Sequence, residues 1–255
     1  MTSKTNNQRT STEDDANWST LYVIAGVAAL LAVALIPLQI IVYAVWGIPE
    51  TAIECFTLFQ VSKLIGLLVL ELPYLISNIL SIPIFLALYV ALRYGNESFM
   101  AMATAMGLIS IAIVFSARPT FDMLYLSNQY WVATTEAQRA ILLAAGEAKL
   151  ALVEGTAQQA HYFLGSLSYL LVSIVMLRSE VFSKLTAYLG IFANVLVFGL
   201  YLPTIGIYLS ILSVFPFLAL WVILIGRRFL QLGSLNTVKI RSNVSFDNHP
   251  EPITE

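Results

Sequence analysis

The sequence predicts an all-α protein: a polytopic membrane bundle of six transmembrane helices, with one amphipathic helix outside it. Three observations carry that prediction. Hydrophobic residues make up 58% of the chain and charged residues 11%, against about 45–50% and 25% in water-soluble domains. So few charges cannot clothe a water-facing globule. The apolar residues are also gathered into runs long enough to cross the roughly 30 Å hydrocarbon core of a bilayer. Finally, the runs are separated by polar, aromatic and proline-bearing stretches of the kind that form loops and interfaces.

The chain is read in order as follows. Residues 1–17 are rich in Thr, Ser, Asn and charge, with almost nothing to bury, and are expected to form a disordered cytoplasmic tail. Span 1 covers 18–46, with Trp18 and Trp46 suited to the two interfaces. Its apolar run is too long for a cleaved signal peptide and reads as a retained span. Residues 47–62 read as an interfacial connector, with Pro49 and Glu50 at a helix start. Ile53, Phe56 and Phe59 are expected on the bilayer surface. Span 2 covers 64–92 and contains Pro73 and Pro83. As one helix, the run between Lys63 and Arg93 extends about 43 Å, so it must tilt, kink or pass beyond the interface.

Span 3 covers 99–117. Its small-residue pairs, Ala101 with Ala105 and Ala103 with Gly107, suit close helix packing. Arg118 before Pro119 is expected to end span 3 as an interfacial charge, with Asp122 as its solvated neighbour. Thr135, followed three positions later by Gln138, is a capping-box pattern. It opens an amphipathic helix over 136–158, with Ile141, Ala145, Ala148 and Leu152 on the apolar stripe. Spans 4, 5 and 6 cover 162–177, 185–202 and 207–225. The remainder, 233–255, is expected as a second disordered cytoplasmic tail. With both ends inside, the inner segments hold nine Lys or Arg and the outer segments four (Lys63, Arg118, Arg139 and Lys149). The positive-inside rule therefore favours cytoplasmic termini and an external amphipathic helix.

Composition also excludes functions. A net charge of −2 with scattered basic residues does not suit nucleic acid. One cysteine, Cys55, cannot form an intrachain disulfide. Two histidines, His161 and His249, are too few for a histidine-built metal centre, and no cofactor motif is present. The expected partner is the lipid bilayer, with a second membrane protein or a second copy as the alternative.

The candidate site is built on Glu71, the one acid expected at membrane depth. Glu71, Tyr74, Asn78 and Ser81 share one helix face. Gln39 and Tyr43 form a polar spot on span 1, His161 opens span 4, and Asn194 lies in span 5. An intramembrane acid costs about 2.5–3.5 kcal/mol on insertion scales, and such groups look into the bundle. Glu71 then either binds a cation or proton in a transport path, or is tied to Asn78, Tyr43 or Asn194 as a packing device. His161 is the partner to test. Three function classes follow. A polar cavity reaching Glu71 fits a protein that binds or moves a small hydrophobic or cationic ligand. Convergence of Glu71, His161 and Asp122 fits an intramembrane enzyme. A packed, dry interior fits an accessory or sensor subunit.

The segment ILSIPIFLALYVAL at 79–92 echoes ILSVFPFLALWVIL at 211–224, as repeated halves of transporters do. Other stretches point to a family. They are Pro37-Leu38-Gln39, LALYVALR at 86–93, TTEAQRA at 134–140, and Met176-Leu177-Arg178-Ser179 leading to Ala187-Tyr188-Leu189-Gly190. Together they resemble the prokaryotic multi-pass membrane proteins grouped as domain of unknown function 4386. Members often carry Pro and Trp before the last Leu-Gly, where this chain has Thr186-Ala187-Tyr188. The resemblance implies a prokaryotic cytoplasmic membrane and a shared fold. It brings no activity and no catalytic residues.

Overall fold

The computed structural model describes the backbone of residues 2–247 and the side chains of residues 18–206 and 208–234. Among the described residues all regular structure is helical. The helices are α1 (Thr2–Trp46), α2 (Ala52–Val61), α3 (Lys63–Val69), α4 (Leu72–Leu92), α5 (Glu97–Ala117), α6 (Thr120–Val132), α7 (Glu136–Ala151), α8 (Thr156–Met176), α9 (Lys184–Phe198), α10 (Gly206–Leu212) and α11 (Ala219–Asp247).

Six segments are long and apolar enough to cross a membrane. They lie in α1, α4, α5 with α6, α7 with α8, α9, and α10 with α11. Only 22–39% of the most apolar stretch of each is buried inside the protein. The rest is an outward apolar surface that includes Ile24, Leu31, Ile41, Met102, Phe163 and Val195. Lipid is the medium that would cover so much apolar area, so the architecture is that of a multi-pass membrane protein.

The spanning helices form a closed ring in the order α1, α4, α5, α8, α9, α11, and α11 returns to α1. Small residues make the closing contact. A Cβ on Gly26 would lie 2.9 Å from the Gly226 carbonyl, and one on Gly226 would lie 3.0 Å from Ala29 Cβ. Only glycine allows backbones that close, which is how helices gain packing energy in lipid. The ring core includes Leu88, Met100, Met176, Trp221, Ile225 and Phe229.

The short helices α2, α3, α6 and α7 gather at one end of the ring as a cap. Its own core is Ala52, Cys55, Phe56, Phe59 and Met123. A Cβ on Gly146 of α7 would lie 2.7 Å from Ala52 Cβ, so α7 sits directly on α2. The α2 N-terminus is closed by Glu147, whose Oε1 accepts from the Ala52 amide at 2.8 Å. That places a carboxylate where the free amides and the helix dipole favour it.

Several expectations are corrected here. Span 2 is not one helix, because the chain breaks between Val69 and Leu72. Helix is present through residues 2–17 and on through 234–247, where disordered tails were expected. Extending an existing helix adds one hydrogen bond per residue without a new nucleation step. Residues 248–255 lie outside the described residues, as does His249. The amphipathic helix opens with the expected capping box but ends at Ala151, and span 4 begins at Thr156. Its docked face is also rotated from the expected stripe. Leu143, Gly146 and Leu150 pack inward, while Ile141 and Leu152 are exposed. Glu147, expected on the outward side, caps α2. Phe56 and Phe59 are buried in the cap, not laid on the bilayer surface. α2 begins at Ala52 with Thr51 as its N-cap, so Pro49 and Glu50 precede the helix instead of opening it.

Of the small-residue pairs in α5, Ala103 and Gly107 pack inward, while Ala101 and Ala105 face outward. The echoed segments differ in backbone. α4 runs helically through Pro83, whereas the chain leaves helical geometry at Phe215, with φ −114 and ψ 116.

Candidate functional site

The site begins at the break in span 2. Pro73 has no amide hydrogen, so it cannot bond the Val69 carbonyl, and the ladder fails there. Glu71 takes up the turn in the left-handed region, with φ 67 and ψ 31. A non-glycine residue there costs about 1–2 kcal/mol, so surrounding contacts must hold it. Two carbonyls beside the break take side-chain donors from other elements. Thr120 Oγ1 donates to the Leu70 carbonyl at 2.5 Å, and Gln39 Nε2 donates to the Leu68 carbonyl at 3.3 Å.

The same turn aims the Glu71 carboxylate at Arg118, which ends α5. Their ion pair closes at 2.7 Å, with the Arg118 side chain 9% exposed and that of Glu71 26%. Tyr43 donates its hydroxyl to the other carboxylate oxygen at 2.8 Å. The insertion cost of the acid is therefore offset by a buried countercharge and a hydrogen bond.

Arg118 also lies over the Tyr74 ring, 5.0 Å from its centroid, in cation–π geometry. The Tyr74 hydroxyl is 2.7 Å from His161 Nε2. His161 Nδ1 is 2.9 Å from the Ser110 carbonyl, which can only accept. This network assigns the proton to Nδ1, so that Nε2 accepts from Tyr74. A single chain of contacts thus runs from Tyr43 through Glu71, Arg118 and Tyr74 to His161 and Ser110.

Below Tyr74, at the centre of the ring, lies a cavity of about 250 Å³. All six spanning segments line it. Its wall is apolar at Val33, Ile36, Ile84, Phe85, Ile111 and Val222, with an aromatic cluster at one side. There Phe85 stacks on Tyr169 at 4.6 Å, and Tyr169 meets Trp221 edge-on at 5.2 Å. Set into this wall are Tyr74, Ser77, Asn78, Ser81, His161, Ser166 and Asn194. No Asp, Glu, Lys or Arg is among its described lining residues. A second pocket of about 230 Å³ lies under the cap, lined by Tyr43, Glu50, Glu71, Arg118, Leu150 and Glu154 among others.

The structure therefore divides the expected site in two. Tyr74, Asn78, His161 and Asn194 line the central cavity, while Glu71 and Tyr43 line the pocket under the cap. Gln39 braces the break and lines neither. The expected tie from Glu71 to Tyr43 is present. Ties to Asn78 and Asn194 are not formed. Asn78 donates to the Tyr74 carbonyl at 3.0 Å, and Asn194 to the Gly190 carbonyl at 2.7 Å. His161 bonds Tyr74 rather than Glu71. Asp122 pairs with Lys149 at 3.2 Å, so Glu71, His161 and Asp122 do not converge. Arg118, expected as an interfacial charge, is instead the buried partner of Glu71.

Sequence reasoning also missed Trp221 and Tyr169 as cavity residues. Their aromatic signal is present, but nothing in a single sequence says which side of a helix meets the ring centre. Among the described residues no three His, Cys, Asp or Glu gather as a ligand set. What the arrangement offers is a lined, uncharged space with hydrogen-bonding groups, bounded at one end by a charged latch.

No family model, curated protein or solved structure matches this chain.

Proposed function

We propose that this protein binds a small neutral amphiphile in its central cavity: an apolar body with an uncharged hydrogen-bonding head. One observation carries the reading. The cavity is lined by all six spanning segments, is mostly apolar, and presents hydroxyl, amide and imidazole groups without a formal charge. Sites for small molecules combine an apolar wall with a few placed polar groups in this way. A cationic ligand is disfavoured, because the nearest acid, Glu71, is already neutralised by Arg118 and lies in the other pocket. The lining comes from one chain, so neither a second copy nor another membrane protein is needed to form the cavity.

The resemblance to domain of unknown function 4386 supports a prokaryotic cytoplasmic membrane, and the distribution of Lys and Arg supports the orientation within it. On that reading both termini lie inside and the cap lies outside. A tag in the 133–135 turn, digested by protease from outside intact cells, checks the orientation. A tag protected there reverses it.

Trp221 supplies the binding assay. The other tryptophans, Trp18, Trp46 and Trp131, are 36%, 42% and 46% exposed, while Trp221 is 1% exposed and lines the cavity. With the first three changed to Phe, fluorescence in lipid nanodiscs reports on the cavity. We expect saturable quenching by 11-bromo-1-undecanol. The carboxylate and trimethylammonium analogues should bind at least about tenfold more weakly, because a desolvated charge has no countercharge there. Quenching that rises linearly with probe concentration, equally for all three, refutes the reading.

A further inference from the structure

Two pockets lie on either side of one cluster of side chains and share no lining residue. Tyr74 belongs to the central cavity, while Glu71, Arg118 and Tyr43 belong to the pocket under the cap. The Arg118 guanidinium, stacked over Tyr74, stands between them. On the far side the second pocket reaches exposed residues, including Glu50, Glu154 and Ile48, which is 66% exposed. It is a vestibule that opens to the protein surface beside these carboxylates.

We infer that the protein moves its ligand between the central cavity and this vestibule, with Tyr74, Arg118 and Glu71 as the gate. The inference rests on the binding reading above and adds transport to it.

The construction of the gate supports movement. Both charged members sit at chain breaks rather than within helices. Glu71 is the left-handed turn between α3 and α4, and Arg118 is the extended residue between α5 and α6, with φ −103 and ψ 117. Gates hinge at such element ends, where one or two residues absorb a backbone change while the helices stay rigid. The contacts that hold the gate shut are an ion pair, one hydroxyl bond from Tyr43 and a ring face. All three can exchange with water from the vestibule, whereas an interlocked apolar plug could not. Tyr74 answers to both sides, since its ring meets Arg118 and its hydroxyl meets His161 within the cavity. A neutral ligand whose head takes the Tyr74–His161 hydrogen bond would loosen the ring from Arg118. Arrival of cargo and release of the latch are then one event. The vestibule carries Glu50, Glu71 and Glu154 against Arg118 alone, so water fills it readily and an emerging polar head is solvated there.

Cysteine accessibility tests the gate. In a Cys55→Ala background, Ser77→Cys places one thiol on the cavity wall, and Val153→Cys places one in the vestibule. Both are treated in nanodiscs with the water-soluble cationic reagent methanethiosulfonate-ethyltrimethylammonium. We expect fast modification at Val153→Cys and slow modification at Ser77→Cys. Adding Glu71→Ala with Arg118→Ala should speed Ser77→Cys at least about tenfold and leave Val153→Cys unchanged. Saturating 11-bromo-1-undecanol should also speed Ser77→Cys in the otherwise native chain.

If the double variant does not fold, Tyr74→Ala is read in its place, with the same expected acceleration. Rapid Ser77→Cys modification in the native chain, or no acceleration when the gate residues are removed, overturns the gate. Trp221 quenching on the same samples separates the two ideas. Saturable quenching with no acceleration discards transport and keeps binding. Absent quenching discards binding itself.

Discussion

Consider removal of the Glu71 charge by Glu71→Gln. The amide keeps an oxygen to accept from Tyr43 but leaves Arg118, 9% exposed, without its countercharge. Breaking one side of a buried pair costs about 3–5 kcal/mol. Glu71 is 26% exposed, so solvent screens part of the interaction, and about 2–3 kcal/mol is the expected loss. For a chain of this size that is roughly 4–12 °C in Tm. Arg118→Met alone should lose a similar amount, since it strands the acid instead. The double variant strands neither charge and fills the guanidinium space with an apolar chain. It should return to within about 1 kcal/mol of the native protein, a coupling of at least about 3 kcal/mol.

The assay uses the protein's only cysteine. Cys55 is fully buried in the cap, so a thiol-reactive fluorogenic dye reports unfolding as the sample is heated. A coupling below about 0.5 kcal/mol would refute the reasoning, because it would mean the two charges are separately solvated.

Two further outcomes follow from the packing. Burial pushes the Cys55 thiol up to about 12. The thiolate is the reactive form, so at pH 8 a maleimide should label the folded chain at least about a thousandfold more slowly than the denatured chain. Because the folded pKa is raised, the protonated thiol favours the fold at lower pH. That stability is lost as pH climbs from about 8.5, where an unfolded thiol ionises, towards 12. Labelling of the native protein at the denatured rate would show that the cap is not closed over α2. Beside the central cavity, Gly190→Ala would put a Cβ 2.2 Å from Ser173 Oγ and 2.4 Å from Trp221 Nε1. It should cost about 1–3 kcal/mol and shift Trp221 emission. An unshifted spectrum with native stability would place the indole elsewhere.

The six spans were legible because each satisfies a length and polarity requirement set by the bilayer, which a window of residues can register alone. The α7 start was legible for a similar reason, since Thr135 and Gln138 cap locally. The break at Glu71 was half legible. Pro73 announces a missing donor, but only the tertiary partners, Thr120 and Gln39, decide whether the ladder opens or the helix merely kinks. The Glu71–Arg118 pair was not legible. The residues lie 47 positions apart by their numbers, and no periodicity connects them. Arg118 beside Pro119 reads as a helix end, which it is, and that reading hides its second role. The facing of α7 failed because the helix has two modest apolar stripes, and the choice between them is made by the shape of α2, where Gly146 admits Ala52.

The seam between α1 and α11 has a consequence for synthesis. The two helices that meet at Gly26 and Gly226 are the first and the sixth of the ring to leave the ribosome. Until the sixth arrives, the other five form an open trough facing the lipid, and no cavity exists. The central space is therefore the last part of the molecule to exist, completed only when α11 docks on α1.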